Sequence, residues 1–595
     1  MRVTRALLFV ASLLSAFGAR GVAGEQPAAA NENKPSVARE AMVDFVDDAL
    51  LCGREITAAD IDALMIRLKE LGISRVSWSY YGDERGGYLT PSGFEKDYNG
   101  GWKHLAATYR NLGNPLKVAV EAGHRHGLEV YAYFKPYETG PGVTFPEGSP
   151  EAKQWGLLEC VGGRLAWMDP FVREHPELRI KRRADDPAGA PPDAPIVSLR
   201  LIKKDATPTR IKKENLQIWT SPDNFRYQRK PVEFSLSETV EPTRAEVRDH
   251  AGNLLTRKGD SVRVLTLSGL NLMDKYVLVT TDFTAGKPDF VNSGTAILSA
   301  LDEAGREIPG VFATGRTVWC ASLMDFRNGG LSFDYGWGAM AVTLDAPNTD
   351  GKTGIVAFAR GRNEYLPGAL CETEPAVQKF WLQCIDAMIA AGVDGIDFRE
   401  ENHSTHTDRP QDYGFNAAVL EKCKGMSGEI TANIAKVRGA AYTDFLRSCK
   451  RKLQAAGKRM RYNLQMDFFR PVPPPERLLA YPANIHFDWK TWTSEKLMDG
   501  AILRFFSLPF KSIFDDATTQ EMIARCKETN LPLYVNRYVK HGNEQLAAEL
   551  QRIENSGRFS GFIFYEVSDF IKFGKTPGTC EISYPPVLKA TGQRK

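Results

Sequence analysis

The run from Val377 to Phe398, VQKFWLQCIDAMIAAGVDGIDF, constrains the fold of this chain more than any other. From Val377 to Ala391 apolar residues recur at helical spacing. Gly392 ends that helix, and Val393 to Phe398 reads as a short buried strand. Side chains alternate along a strand, so Asp397, Arg399 and Glu401 share one face, opposite Ile396 and Phe398. A parallel strand, covered by helices and ending in acidic groups, is what a (β/α)8 barrel presents at its catalytic mouth. A strand end whose carboxylates merely pair with Arg399 has the same pattern.

The same rhythm recurs along the chain. A helix from Ile61 to Leu71 leads into a strand from Ile73 to Tyr81, and Leu116–His126 leads into Leu128–Tyr137. Alternation of this kind predicts a parallel sheet. It returns with Gly354–Arg360, taken as a third strand, and continues through Tyr462–Phe469, Asp499–Phe506, Leu531–Val539 and Gly561–Val567. Between about Pro191 and residue 350 there are short alternating strands split by Gly, Asn, Asp and Pro turns, with no long helix. That texture predicts an inserted β-sandwich. The expected fold is therefore α/β, a (β/α)8 TIM barrel with an inserted β-sandwich. Residues 40–184 supply strands one and two, 185–350 the insert, 351–580 strands three to eight, and 581–595 a tail.

Charge and leader bound the function. The 595 residues carry 76 basic and 73 acidic groups, a net +3, with no long basic run, so nothing points to nucleic acid. MRVTR, the apolar ALLFVASLLSAFGA and the small residues Val22-Ala23-Gly24 have the order of a signal peptide over residues 1–24. The apolar run is too short for a membrane span. An exported protein, periplasmic or extracellular, is expected, with 25–39 as a flexible lead-in. Nine cysteines lie scattered without a C-x-x-C pair, and most read as small buried apolar residues.

Four segments carry a family resemblance: AVEAGHRHGLEVYAYFKPY, AVQKFWLQCIDAMIAAGVDGIDFRE, WTSEKLMDGAILR and GFIFYE. With them the chain resembles the secreted bacterial glycoside-hydrolase-like barrels, the glycosyl-hydrolase-like ten group and its relatives. The resemblance covers most of the barrel and none of the insert, and implies a barrel acting on carbohydrate. The insert's LQIWTSPDNFRYQ is weakly similar to galactose-binding-like sandwiches. In addition, Asp394-x-x-Asp397-x-Arg399-x-Glu401 is similar to the D-x-x-D-x-D-x-E strand of chitinase-type glycosidases. Glu401 matches their acid. Arg399 stands where they have the aspartate that orients an N-acetyl group, which counts against substrate-assisted cleavage.

Glycoside cleavage needs a protonated acid for the leaving oxygen and a second carboxylate opposite it. Glu401 or Glu400 is the expected acid, with Glu566 or Asp467 as partner. Asp397 and Arg399 are assigned to orientation. Tyr133, Lys135, Tyr137, Gln465, Asn536 and Arg537 are further substrate-binding candidates, and Trp489 and Trp492 are candidates for stacking on a sugar ring. No cofactor or metal is expected. Two rival readings stand: a metal-dependent hydrolase using Glu400, His403 and His406, and a carbohydrate-binding barrel without catalysis.

Overall fold

The computed structural model describes residues 37–83, 101–139, 169–185, 193–203, 205–222, 228–248, 254–281, 297–313, 353–361, 364–400, 410–465, 482–504, 510–539 and 545–591. The leader expected at 1–24 lies outside them. Eight parallel strands close into a barrel in chain order: β1 (Ala38–Val43), β2 (Arg75–Ser79), β3 (Glu129–Phe134), β4 (Gly395–Arg399), β5 (Arg459–Gln465), β6 (Gly500–Arg504), β7 (Leu533–Tyr538) and β8 (Gly561–Tyr565). β8 pairs back onto β1, with Ala38 opposite Gly561 and Ala41 opposite Phe564.

Every residue of β2, β4, β6 and β8 is buried, because helices cover the outside while opposite strands fill the inside. The helix Ala58–Glu70 turns Ile61, Leu64, Met65 and Leu68 to the barrel, and Asp60 closes its start by accepting from Thr57 N–H at 2.8 Å. The helix Pro115–Arg125 starts on Pro115, with Asn114 accepting from Lys117 N–H at 3.0 Å. Among the described residues no helix is long and apolar enough to cross a membrane. Six of the seven described cysteines are buried.

Two strands differ from the sequence reading. The barrel begins at Ala38, in the last residues assigned to the lead-in, rather than at Ile73. Its first strand, AREAMV, turns Glu40 inward to Arg75 and Arg461, so a buried charge interrupts the apolar pattern. The strand Thr353–Arg360, expected in the barrel, instead lies antiparallel between Val311–Ala313 and Tyr276–Thr281. An apolar run looks alike in either sheet, and only its partners distinguish the two.

The insert thus leaves between β3 and β4. It contains one antiparallel sheet of four strands (Ile297–Leu301, Ile196–Ile202, Ser261–Leu272, Ser235–Pro242) and one of five (Val311–Ala313, Thr353–Arg360, Tyr276–Thr281, Leu216–Ser221, Gln228–Arg229). The chain passes out along Arg179–Lys181 and back along Tyr365–Leu370, two segments paired antiparallel. Asn416 fastens this stalk to the barrel, accepting from Lys181 N–H and donating to Arg179 C=O, both at 2.8 Å.

Candidate active site

The barrel interior is built in levels. At the lowest, the rings of Tyr131 and Tyr534 occupy space that strands β4 and β8 leave by starting on glycine. A Cβ on Gly395 would meet Tyr131 at 2.5 Å, and one on Gly561 would meet Tyr534 at 2.7 Å. Arg75 and Arg461 lie over these rings, 4.6 and 4.8 Å from the centroid of Tyr131. The Arg461 guanidinium bridges Asp397 and Glu40, and Ser77 donates to Asp397.

Further along the strands, two residues on from Tyr131 and Asp397 and four on from Tyr534 and Gly561, the composition changes. Arg399 donates to Tyr565 Oη at 3.1 Å, and Arg504 donates to Tyr538 Oη at 3.0 Å. Tyr538 and Tyr565 meet edge to face at 4.5 Å between centroids. Arg504 also lies 3.5 Å from Tyr133 Oη. This cationic, aromatic level is the floor of the mouth.

Above it lie carboxyl groups. Asp44 follows the last residue of β1 and Glu566 the last of β8, both largely buried. Lys135, just past β3, donates to Asp44 Oδ2 at 3.1 Å, Tyr81 Oη at 2.8 Å and Glu138 Oε1 at 3.3 Å. Tyr81 Oη donates in turn to Asp44, 3.1 Å from Oδ1 and 3.2 Å from Oδ2. Burial pulls the Lys135 ammonium down, but Asp44 and Glu138 more than compensate, and its pKa is raised. Glu566 is pushed up to about 7, first by burial, then by the like charges of Asp44 and Asp569, with Lys135 pulling the other way. Burial, Asp44, Glu566 and Asp569 also push Asp48, one helical turn beyond Asp44, well above the usual carboxylate range.

The expected site residues separate into three groups. Arg399, Tyr133, Lys135 and Glu566 come together at or under the mouth. Asn536 is buried on β7, in register with Arg504 of β6, and Gln465 on β5 is in register with Arg504 from the other side. Others serve the scaffold. Asp397 faces inward as alternation requires, but its carboxylate is gripped by Arg461 below the floor. Tyr137 donates to Glu372 at 3.1 Å, in a fully buried pair with Arg438. Glu400 points outward to the helix Ile430–Ala455 and accepts from Tyr442 Oη at 3.0 Å. Its carboxyl is pushed up to about 8, chiefly by burial, against the lowering effects of the Tyr442 hydroxyl and Arg399.

The stacking assigned to the two tryptophans is corrected. Trp489 and Trp492 lie on a short helix, Trp489–Ser494, inside the core. Trp492 donates to Thr443 at 2.9 Å and packs against Tyr442, Tyr462 and Phe487, which leaves no ring face for a sugar. Arg537 likewise points outward and pairs with Glu549 on the helix Leu546–Ser556. Glu401, His403, His406 and Asp467 lie outside the described residues. Among the described residues no group of three or more His, Cys, Asp and Glu side chains is arranged to hold a metal ion. Sequence reasoning missed Asp44 and Tyr81. The available signal was an aspartate immediately after a strand and before the helix FVDDALL, a position easily taken for a plain helix cap.

Fold and mouth together define a closed (β/α)8 barrel with a lysine-braced set of carboxyl groups at the C-terminal ends of its strands. No family model matches the chain, and no curated protein does. Among solved structures it is similar to a trehalose-6-phosphate hydrolase of Bacillus licheniformis, at 9% identity and a TM-score of 0.34, over 89% of this chain and 64% of that one. It is also similar to a cycloisomaltooligosaccharide glucanotransferase of a Paenibacillus species complexed with cycloisomaltoheptaose, at 10% identity and a TM-score of 0.27, over 84% and 38%. A third is Ega3 of Aspergillus fumigatus complexed with galactosamine, at 12% identity and a TM-score of 0.17, over 39% and 64%. The chain thus spans less than two thirds of the length of each. At these scores the likenesses bear on neither its activity nor its substrate.

Proposed function

We propose that the chain is an exported hydrolase of glycosidic bonds in a poly- or oligosaccharide, working at the C-terminal mouth of the barrel with Glu566 as proton donor. One observation carries this reading: a buried carboxyl at the mouth whose pKa is raised to about 7, beside a second carboxyl braced by a lysine. A general acid works best when its proton affinity lies near the working pH, and burial among like charges is how a glutamate gets there. The tyrosine and arginine floor supports the reading, since it offers hydroxyl and guanidinium donors below a sugar ring. Export rests on the leader alone, and sequencing the mature N-terminus checks it, with a start near Glu25 expected.

Glu566→Gln keeps the shape of the side chain and removes the proton. On a glycan that the wild type cleaves, it lowers kcat by about 10²–10⁴-fold while affinity stays within a few-fold. Near-normal turnover in that variant removes Glu566 from the role. Glu401→Gln, run beside it, then tests the acid expected from the sequence. A wild type that binds glycans but cleaves none across a broad panel supports the binding-barrel reading instead.

A further inference from the structure

We propose that Asp44 is the carboxylate that opposes Glu566, meeting the positive charge that develops at the anomeric carbon as the glycosidic bond breaks. The inference rests on the reading of Glu566 as proton donor and adds a residue to that site.

Position is the first argument. β1 and β8 are neighbours where the barrel closes, and Asp44 and Glu566 are the first residues beyond them. The two carboxyl groups therefore leave adjacent strand ends on the same side of the barrel. That end of the strands is where a (β/α)8 barrel assembles its chemistry.

Orientation is the second. Asp44 occupies the N-cap of the helix Phe45–Leu51, where an aspartate ordinarily accepts from the backbone of the first turn. Here its side chain makes no capping bond, and Phe45 N–H is satisfied by Ser79 Oγ at 3.0 Å instead. The carboxylate turns to Lys135 and Tyr81. An aspartate that forgoes its stabilising cap to join a lysine and a phenol at the mouth is placed for something other than helix stability.

The chemistry closes. Glu566 gives its proton to the glycosidic oxygen as the bond from that oxygen to the anomeric carbon breaks, and the electron pair stays on the leaving oxygen. The oxocarbenium charge faces the Asp44 carboxylate, which Lys135 and Tyr81 hold in place. Water then adds to the anomeric carbon and returns a proton to Glu566. Both groups end as they began, and one water is consumed per bond.

Asp44→Asn should lower kcat at least about 100-fold on a substrate the wild type cleaves, with KM within a few-fold. Asp44→Gly should be rescued by sodium azide, a small anion that fills the vacated space and bonds to the anomeric carbon, with a glycosyl azide detected by mass spectrometry. An Asp44→Asn enzyme within threefold of wild type, while Glu566→Gln is inactive, overturns the role of Asp44 and leaves that of Glu566 standing. An active Glu566→Gln beside an inactive, azide-rescued Asp44→Gly overturns the proton donor and keeps Asp44. Should Asp44→Asn fail to fold by circular dichroism, Lys135→Met is the second test: a kcat lowered at least tenfold supports the proposal, and an unchanged kcat overturns it. No turnover by the wild type on any glycan overturns both.

Discussion

Arg461 holds Asp397 through two hydrogen bonds of 2.7 and 2.8 Å inside the closed part of the barrel, and reaches across to Glu40 at 2.9 Å. One side chain on β5 thus ties its neighbour β4 to β1 on a more distant part of the wall. Desolvating these charges is costly, and each depends on the others for compensation. The bridge stabilises the wall only while it is complete.

Arg461→Met should therefore cost about 3–5 kcal/mol, since it leaves the buried Asp397 carboxylate without a cation and Glu40 with Arg75 alone. Chemical denaturation at pH 7 measures this. A loss under about 1 kcal/mol would mean that the network behaves like an exposed ion pair.

Glu400 makes stability depend on pH. Its carboxyl is pushed from an ordinary 4.5 to about 8, so the folded state holds the proton more tightly than the unfolded chain. That contribution is fully present below pH 4.5 and is lost as pH rises through about 8. The span corresponds to about 5 kcal/mol. Glu400→Gln removes the ionisable group, so the variant should gain in Tm relative to wild type as the buffer moves from pH 6 to pH 9. A pH-independent difference would show that Glu400 does not titrate in this range.

Activity should fall on the alkaline side as Glu566 loses its proton near pH 7. Asp569 contributes like charge to that carboxyl. Asp569→Asn should accordingly lower the proton affinity of Glu566 and move the alkaline limb of kcat/KM to lower pH. A limb that stays in place, or moves up, contradicts the assignment of that limb to Glu566.

Trp492→Ala should act on folding rather than on sugar binding. Truncating a fully buried indole costs about 3–5 kcal/mol, and glycan affinity per folded molecule should not change. Calorimetric unfolding alongside glycan titration separates the two. Unchanged stability with weakened binding would return Trp492 to the mouth.

Much of the barrel was legible because seven of its strands carry their own signal of apolar runs preceded by helices or closed by turns. β1 was not, since Glu40 reads as a polar residue until Arg75 and Arg461 are seen beside it. The opposite error made Gly354–Arg360 a barrel strand: its apolar pattern is genuine, but pairing with Tyr276–Thr281 is a long-range fact that no local window contains. At the site, alternation placed Asp397 and Arg399 on the inner face correctly, yet it says nothing about depth. Two residues along one strand separate a carboxylate locked below the floor from a guanidinium beneath the mouth. Trp489 and Trp492 failed for a related reason, because aromatic character suits a core as well as a sugar platform.

The stalk of the insert has a consequence for how this chain can change. Arg179 lies opposite Leu370 and Lys181 opposite Tyr365, so the barrel meets the insert as a hairpin meets its loop. The two ends stay side by side whether the excursion between them is long or short, and lengthening a loop whose ends are already joined costs little. From the barrel's side, that ladder is where a change in the length of the excursion through the two sheets is absorbed. A tight two-residue turn in its place would leave the eight strands with the same neighbours.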